Sequence, residues 1–281
     1  MPEQRIRKAA QAMLARHLRR RCREIPAQEL FRSAAVFAPH PDDECLGCGG
    51  TILRLRDADV PVRLVFLTDG GRSHPNLITP EWLAAQRRGE ALAAARVLGV
   101  PAEAVHFIGI GDGHLEHHRD TATQRILDIF HHHRTDQVFL PYRGDQPRDH
   151  YFTNRAVHAA LAALDYAPQV REYPIWFWNH WPWTRFWRHG SAPPLRRIAQ
   201  RVRRPAHALQ SLYLLFRDFR YAVDVLKELP RKRAALACHR SQMTRLQPDA
   251  NWVTLADVAE GDWLACFFTG AEFFHSPRRQ R

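Results

Sequence analysis

The sequence predicts an α/β fold, a Rossmann-like, mostly parallel sheet with helices on both faces, and three observations predict it. Short apolar runs alternate with helix-length segments, which is the order of βαβ units. The runs are apolar throughout, as strands covered on both faces are. Each of the first four runs ends in a polar turn, and these turns carry carboxylates. In open parallel sheets, ligands bind at the carboxyl ends of the strands.

The elements follow in order. Residues 4–23 place Ile6, Ala9, Ala10, Met13, Leu14 and His17 on one helical face among arginines, a basic amphipathic helix. Residues 34–38 form the first strand, and Leu46 to Asp57 the helix after it. Residues 62–67 form the second strand. Thr79-Pro80-Glu81 opens a helix that runs to Leu98 and stops at Gly99, with Thr79 as N-cap and Pro80 in the first turn. Val105 to Ile110 is the third strand, 121–133 a helix, and Gln137 to Pro141 the fourth strand. A helix over 152–164 and a fifth strand from Glu172 to Trp178 follow. Further on, the pattern predicts a helix at 205–216, a strand at 221–225 and a helix at 227–243. The stretch 252–274 is apolar enough for core.

The chain has 281 residues and 45% hydrophobic content, enough for a sizeable core in one large domain. We expect a basic N-terminal helix at 1–30 and one main domain at 31–281, with an insertion at about 180–218. No apolar run approaches the ~18 residues needed to span a bilayer, and the basic start lacks the apolar core of a signal peptide. A cytoplasmic location follows as the expectation. The five cysteines are read as reduced thiols, and Cys45-x-x-Cys48 as part of a larger motif rather than a redox pair.

The net charge of +12 is concentrated in two segments. Residues 1–32 hold nine Lys/Arg against three acids, and residues 185–204 hold seven arginines and no acid. Such patches attract phosphates or an anionic membrane surface, or they are simply solvated. No helix-turn-helix, zinc-finger or RNA-binding signature accompanies the charge, so a nucleic-acid partner is not expected. Five of the eight tryptophans fall within 173–188, a density that suits a lid beside a ligand site or a membrane-facing flap better than core alone.

The chemistry concentrates after the first strand. His40 and Asp43 are three residues apart, so one tight turn aims both at a point, with Asp42 between them. Imidazole and carboxylate are good zinc ligands, and a catalytic zinc takes three from the protein. The exit of the fourth strand offers His150. The histidines at 117–118 and 131–133 resemble a metal site only by composition and are read as surface. His114, at a strand exit, is placed to touch substrate. Arg87 is either a substrate contact or half of a helix-face pair with Glu90.

The segment 38–50 (Ala38-Pro39-His40-Pro41-Asp42-Asp43-Glu44, then Gly47-Cys48-Gly49-Gly50) resembles the signature of the PIG-L/LmbE deacetylases. The resemblance continues at Thr68-Asp69-Gly70, Arg87-x-x-Glu90, Asp112-Gly113-His114-Leu115, Asp149-His150 and Lys232 to Gln242. It implies a metal ion, zinc or iron(II), held by His40, Asp43 and His150, with Asp42 as general base. It implies hydrolysis of the N-acetyl group of an N-acetylglucosamine-containing glycoconjugate that is lipid-, nucleotide- or inositol-linked. Asp69, Arg87, His114, Tyr142, Arg148 and His239 are the residues expected around the substrate. One position departs from the family pattern. A histidine that helps stabilise the oxyanion usually stands three residues before the second metal histidine, and here that residue is Pro147. Arg148, Tyr142 and His239 are the candidates to replace it. The alternative is an inactive sugar-binding protein on the same fold.

Overall fold

The computed structural model describes residues 2–145, 147–179, 183–184 and 209–277. The aromatic and arginine-rich insertion expected at 180–218 lies largely outside the described residues.

The elements in chain order are α1 (Pro2–Arg21), β1 (Arg23–Glu24), α2 (Ala27–Leu30), β2 (Ala34–Ala38), α3 (Asp43–Asp57), β3 (Val62–Thr68) and α4 (Pro80–Val97). There follow β4 (Val105–Ile110), α5 (Arg119–His132), β5 (Gln137–Pro141), α6 (Arg148–Ala162) and β6 (Gln169–Tyr173). Residues 209–218 form α7. The chain then runs through β7 (Phe219–Asp224), α8 (Leu229–Ala237), α9 (Arg240–Met243), α10 (Asp262–Ala265) and β8 (Ala271–His275).

One eight-stranded sheet runs β1-β7-β8-β6-β5-β2-β3-β4. Its pairings are parallel except those of β8, which inserts antiparallel between β6 and β7. Alternate residues of each central strand feed two separate cores. Ala34, Val36, Leu64, Phe66 and Phe139 pack against α3 and α4 on one face. Ala35, Phe37, Val65, Val138 and Leu140 pack against α5 and α6 on the other. Both faces are apolar because both are covered. Strand β2 pairs with β3 on one side and β5 on the other, so the chain winds outward in both directions from the β2–β5 pair. That is the switch point of the sheet, where the loops leaving adjacent strands part and open a crevice.

Several boundaries differ from those the sequence predicts. Helix α3 begins at Asp43 and α6 at Arg148, each several residues early, so Asp43, Asp149 and His150 stand in first helical turns and not in loops. Strand β6 ends at Tyr173. Pro174 has no N–H for a ladder, and Trp176–Trp178 form a 3-10 turn. The helix expected at 227–243 is two, broken where His239 adopts ψ 63 and turns inward. Helix α1 packs through Gln11, Leu14, Ala15 and Leu18, while Ile6 and Met13, which the period places on the same face as Leu14, point outward. Thr79 caps α4 as expected, its hydroxyl accepting from the Trp82 N–H. Trp252, Trp263 and β8 place the stretch 252–274 in the core.

Candidate active site

The turn after β2 and the first turn of α6 meet across the β2–β5 crevice. Asp43 Oδ2 accepts the His40 backbone N–H at 3.0 Å. The same oxygen lies 3.3 Å from His40 Nδ1 and 3.4 Å from His150 Nε2. The two imidazole centroids are 5.4 Å apart. His40, Asp43 and His150 thus offer one ligand atom each within 4.8 Å of one another. His150 is fully buried, and its Nε2 makes no hydrogen bond. An orphaned, buried lone pair beside a carboxylate and a second imidazole is what a divalent cation would satisfy, so the donor set fits the expected metal.

The surrounding groups fix these ligands. Asp145 Oδ2 lies 3.0 Å from His150 Nδ1, which leaves Nε2 facing the cluster. The Asp145 carboxylate also accepts the backbone N–H groups of Ile175, Trp176 and Phe177. His40 carries carboxylates against its other nitrogen: Nε2 is 3.2 Å from Asp112 Oδ1 and 3.4 Å from Asp149 Oδ2. A carboxylate behind a ligating imidazole sets its tautomer and raises its basicity. His40, Asp112 and Asp149 form an overlapping cluster of the same compactness. There, however, Asp149 Oδ2 already accepts the Gly113 N–H and Asp112 takes the Arg72 N–H on its other oxygen, and of the two sets the one with His150 contains an imidazole nitrogen without a hydrogen bond, which makes it the better metal site.

Asp42 occupies an unusual backbone conformation, φ 135°, at the start of α3. Strain of this kind persists only where neighbours over-determine it. Here Glu44 Oε2 accepts the Asp42 N–H at 2.9 Å. Arg87, nearly fully buried, donates to Asp42 Oδ2 at 3.1 Å, to Gly70 O at 3.0 Å and to Pro41 O. Burial, assisted by Asp43, pushes the Asp42 carboxyl up to about 6, while Arg87 pulls it down. Burial would also raise Asp43, but His150 and His40 outweigh it and hold that carboxyl low. Burial works against the His40 imidazolium, yet its hydrogen bonds to Asp112, Asp149 and Asp43 keep its pKa well above the ordinary value. Two adjacent carboxylates are thus driven apart, one ionised and one poised near neutrality, which is how acid–base roles divide.

The residues expected around the substrate separate into three groups. Arg87 braces Asp42, while Glu90 accepts from Ser241, so the predicted Arg87–Glu90 pair is replaced by two different partnerships. His239 is buried with Nε2 2.8 Å from Glu44 Oε1, and so supports the Asp42 turn through Glu44. Asp69 ties two exits together, its Oδ1 accepting from the Gly71 and Asp112 N–H groups. Tyr142 is a core residue: its hydroxyl donates to Asp218 at 2.5 Å and its ring meets Phe177 and Phe219. Arg148 projects to solvent and pairs with Glu116. His114 Nε2 lies 2.7 Å from Arg72 at the rim. None of Arg148, Tyr142 and His239 makes a contact with the His40–Asp43–His150 cluster, and Pro147 is the N-cap of α6.

Asp112, Asp145 and Glu44 were absent from the predicted set. Asp112 sits at a strand exit and that position was its signal. Asp145, five residues before His150, carried none.

A family model described as PIG-L, GlcNAc-PI de-N-acetylase, matches residues 35–161. A diacetylchitobiose deacetylase of Thermococcus kodakarensis is 32% identical over 125 residues, 42% of this chain and 46% of that protein, so the match spans about half the length of that relative. A probable N-acetyl-α-D-glucosaminyl L-malate deacetylase of Bacillus anthracis is 31% identical over 156 residues, 53% of this chain and 68% of that protein. The structure of the N,N'-diacetylchitobiose deacetylase of Pyrococcus horikoshii superposes with a TM-score of 0.60 at 21% identity, covering 96% of this chain and 91% of the other, a likeness of fold. Together with the turn that carries His40, Asp42 and Asp43, these matches establish that the chain belongs to the PIG-L family of de-N-acetylases.

Proposed function

We propose that the chain is a metal-dependent amidase that removes the acetyl group from an N-acetylglucosamine-containing glycoconjugate, acting in the cytoplasm. The observation that carries this reading is the buried His40–Asp43–His150 set with its unpaired Nε2, placed beside a general base, Asp42, whose carboxyl is raised to about 6. Zinc suits the ligand set, and iron(II) shares it. A divalent cation there would supply Lewis-acid activation of water and of the amide carbonyl.

The protein's own part falls to Asp42. Its carboxylate takes a proton from the attacking water as the new C–O bond forms. When the C–N bond breaks, the same carboxyl delivers that proton to the leaving nitrogen, giving acetate and a free amine. Such proton transfer contributes ~10²–10⁴ in rate. The named relatives act on N-acetylated sugars, which supports an amino-sugar substrate, and the lipid-, nucleotide- or inositol-linked class is our reading of it.

Pro147 favours a second reading, an inactive sugar-binding protein, since the three residues nominated to replace a histidine there point elsewhere. Acetate release from a panel of free, nucleotide-linked, inositol-linked and lipid-linked N-acetylglucosamine, with zinc or iron(II), decides between them. Release that vanishes in Asp42→Asn supports the amidase. Tight sugar binding with no acetate from any compound supports the second reading.

A further inference from the structure

Helices α1 and α7 leave one surface of the molecule unexplained. Helix α1 buries the stripe through Leu14 and Leu18 and presents the opposite stripe to solvent. On it, Ile6 is 67% and Met13 66% exposed. Arg5, Lys8, Arg16 and Arg20, all exposed, flank these apolar side chains, and no acidic residue occurs between Arg5 and Arg20. Helix α7 adds two more exposed apolar side chains, Leu209 at 69% and Tyr213 at 63%, and one cation, Arg217, which lies 5.5 Å from the Tyr213 ring centroid and pairs with Asp218.

The two stripes meet. His17 follows Met13 by one helical turn, and Phe216 follows Tyr213 by nearly one, so each lies at the end of its own stripe. Their rings pack edge to face at 5.3 Å. An apolar strip therefore runs from Ile6 through the His17–Phe216 contact to Leu209, bordered on the α1 side by Arg5, Lys8, Arg16 and Arg20. Isolated exposed apolar residues are ordinary, but a strip across two helices with a basic border is the composition of an interfacial helix pair.

We propose that this α1–α7 face docks the protein on an anionic lipid surface. The charge on the page selects that occupant. Cations beside apolar side chains complement a headgroup layer, which offers phosphates above and hydrocarbon beneath, whereas a duplex has no hydrocarbon layer behind its phosphates. The location gives the docking a purpose. Helix α7 ends at Asp218, whose carboxylate receives the Tyr142 hydroxyl at 2.5 Å. Tyr142 directly follows β5, the strand whose exit supplies Asp145 and His150. The docking face is thus anchored to the rim of the catalytic crevice, and a surface-bound molecule would have that rim near the headgroups. This inference concerns binding and stands apart from the deacetylase reading.

The test is co-sedimentation of the full chain with phosphatidylcholine vesicles and with phosphatidylcholine–phosphatidylglycerol vesicles, across a salt series. The expected result is binding to the anionic vesicles only, weakening as salt rises. Arg16→Ala and Arg20→Ala should each lower the partition constant about five-fold, and Ile6→Asp with Met13→Asp should abolish it. These side chains point outward, so thermal unfolding of the variants should match the parent and separate lost docking from lost folding. Indifference to anionic lipid at low salt overturns the proposal. So does undiminished binding by the Ile6→Asp/Met13→Asp protein, duplex DNA held more tightly than vesicles, or a concentration-dependent dimer that the double variant dissolves.

Discussion

Asp145 Oδ2 stands 3.0 Å from His150 Nδ1, and the same carboxylate gathers three successive backbone N–H groups from the Trp176 turn. One side chain thereby orients an imidazole of the candidate metal site and anchors the start of the tryptophan-rich segment. Asp145→Asn keeps the shape and removes the charge. Metal affinity, read by competition with a chromophoric chelator, should fall about 10–100-fold, the usual effect of losing such a carboxylate. Unchanged affinity would show that His150 needs no orienting partner.

Arg87 braces Asp42, the proposed general base, and its removal should shift the ionisation of that carboxyl upward. The Asp42 carboxyl stands at about 6 because burial raises it while Arg87 opposes that rise. In the proposed mechanism activity requires the carboxylate, so the acid limb of kcat/KM marks its ionisation. In Arg87→Met that limb should move to higher pH, with the maximum rate reduced. A limb that stays in place would mean that Arg87 holds the loops through Gly70 and Pro41 without touching the ionisation.

Helix α3 approaches β6 so closely that glycine is required at one point. A Cβ on Gly47 would fall 2.3 Å from the Tyr173 ring. That ring is buried and its hydroxyl donates to Phe37 O at 2.7 Å, so it has nowhere to go. Gly47→Ala should destabilise the protein by about 1–3 kcal/mol, the range for overpacking a core. Thermal unfolding of the purified variant measures this, and a melting temperature equal to the parent's would contradict the close approach.

The His239–Glu44 pair gives stability a pH dependence. Burial lowers the His239 pKa, but Glu44 outweighs it and the net direction is up. Burial raises Glu44, while His239 brings it below its ordinary value. A raised histidine contributes fully below its unfolded pKa of ~6.5 and loses that contribution as pH rises through its folded value. A lowered glutamate contributes above ~4.3 and loses it as pH falls through its folded value. Urea midpoints should therefore decline above pH ~6.5 in the parent, and His239→Gln should flatten that limb. Parallel slopes in the two proteins would exclude the pair as the source.

Much of the site was legible because its residues sit where an open parallel sheet must place them. His40, Asp42 and Asp43 follow the first central strand at a spacing that a turn can focus, and apolar runs with no alternation located the strands. What escaped detection were contacts between residues far apart in the chain. Asp145 touches backbone thirty residues on, Glu44 meets a histidine 195 residues away, and neither leaves a local pattern. Tyr142 misled for the opposite reason. Its place after a strand is that of a ligand residue, but its hydroxyl found Asp218 and its ring found the core. Helix α1 was recognised by its period, while its packed face shifted because Leu18, absent from the predicted stripe, is the residue the core buries.

The Glu272 carboxylate, in the last strand, accepts the Gly50 and Thr51 N–H groups of α3 and pairs with the buried Lys232. These contacts span up to 222 residues of sequence. During synthesis, the helix that begins at Asp43 is made first, and its anchor follows 222 residues after Gly50. Contacts of such separation form late, after the loop-closure entropy of the whole intervening chain has been overcome. A nascent chain stopped short of β8 therefore holds an unclamped, glycine-rich helix, and the turn that carries His40, Asp42 and Asp43 gains this support only once β8 has been made.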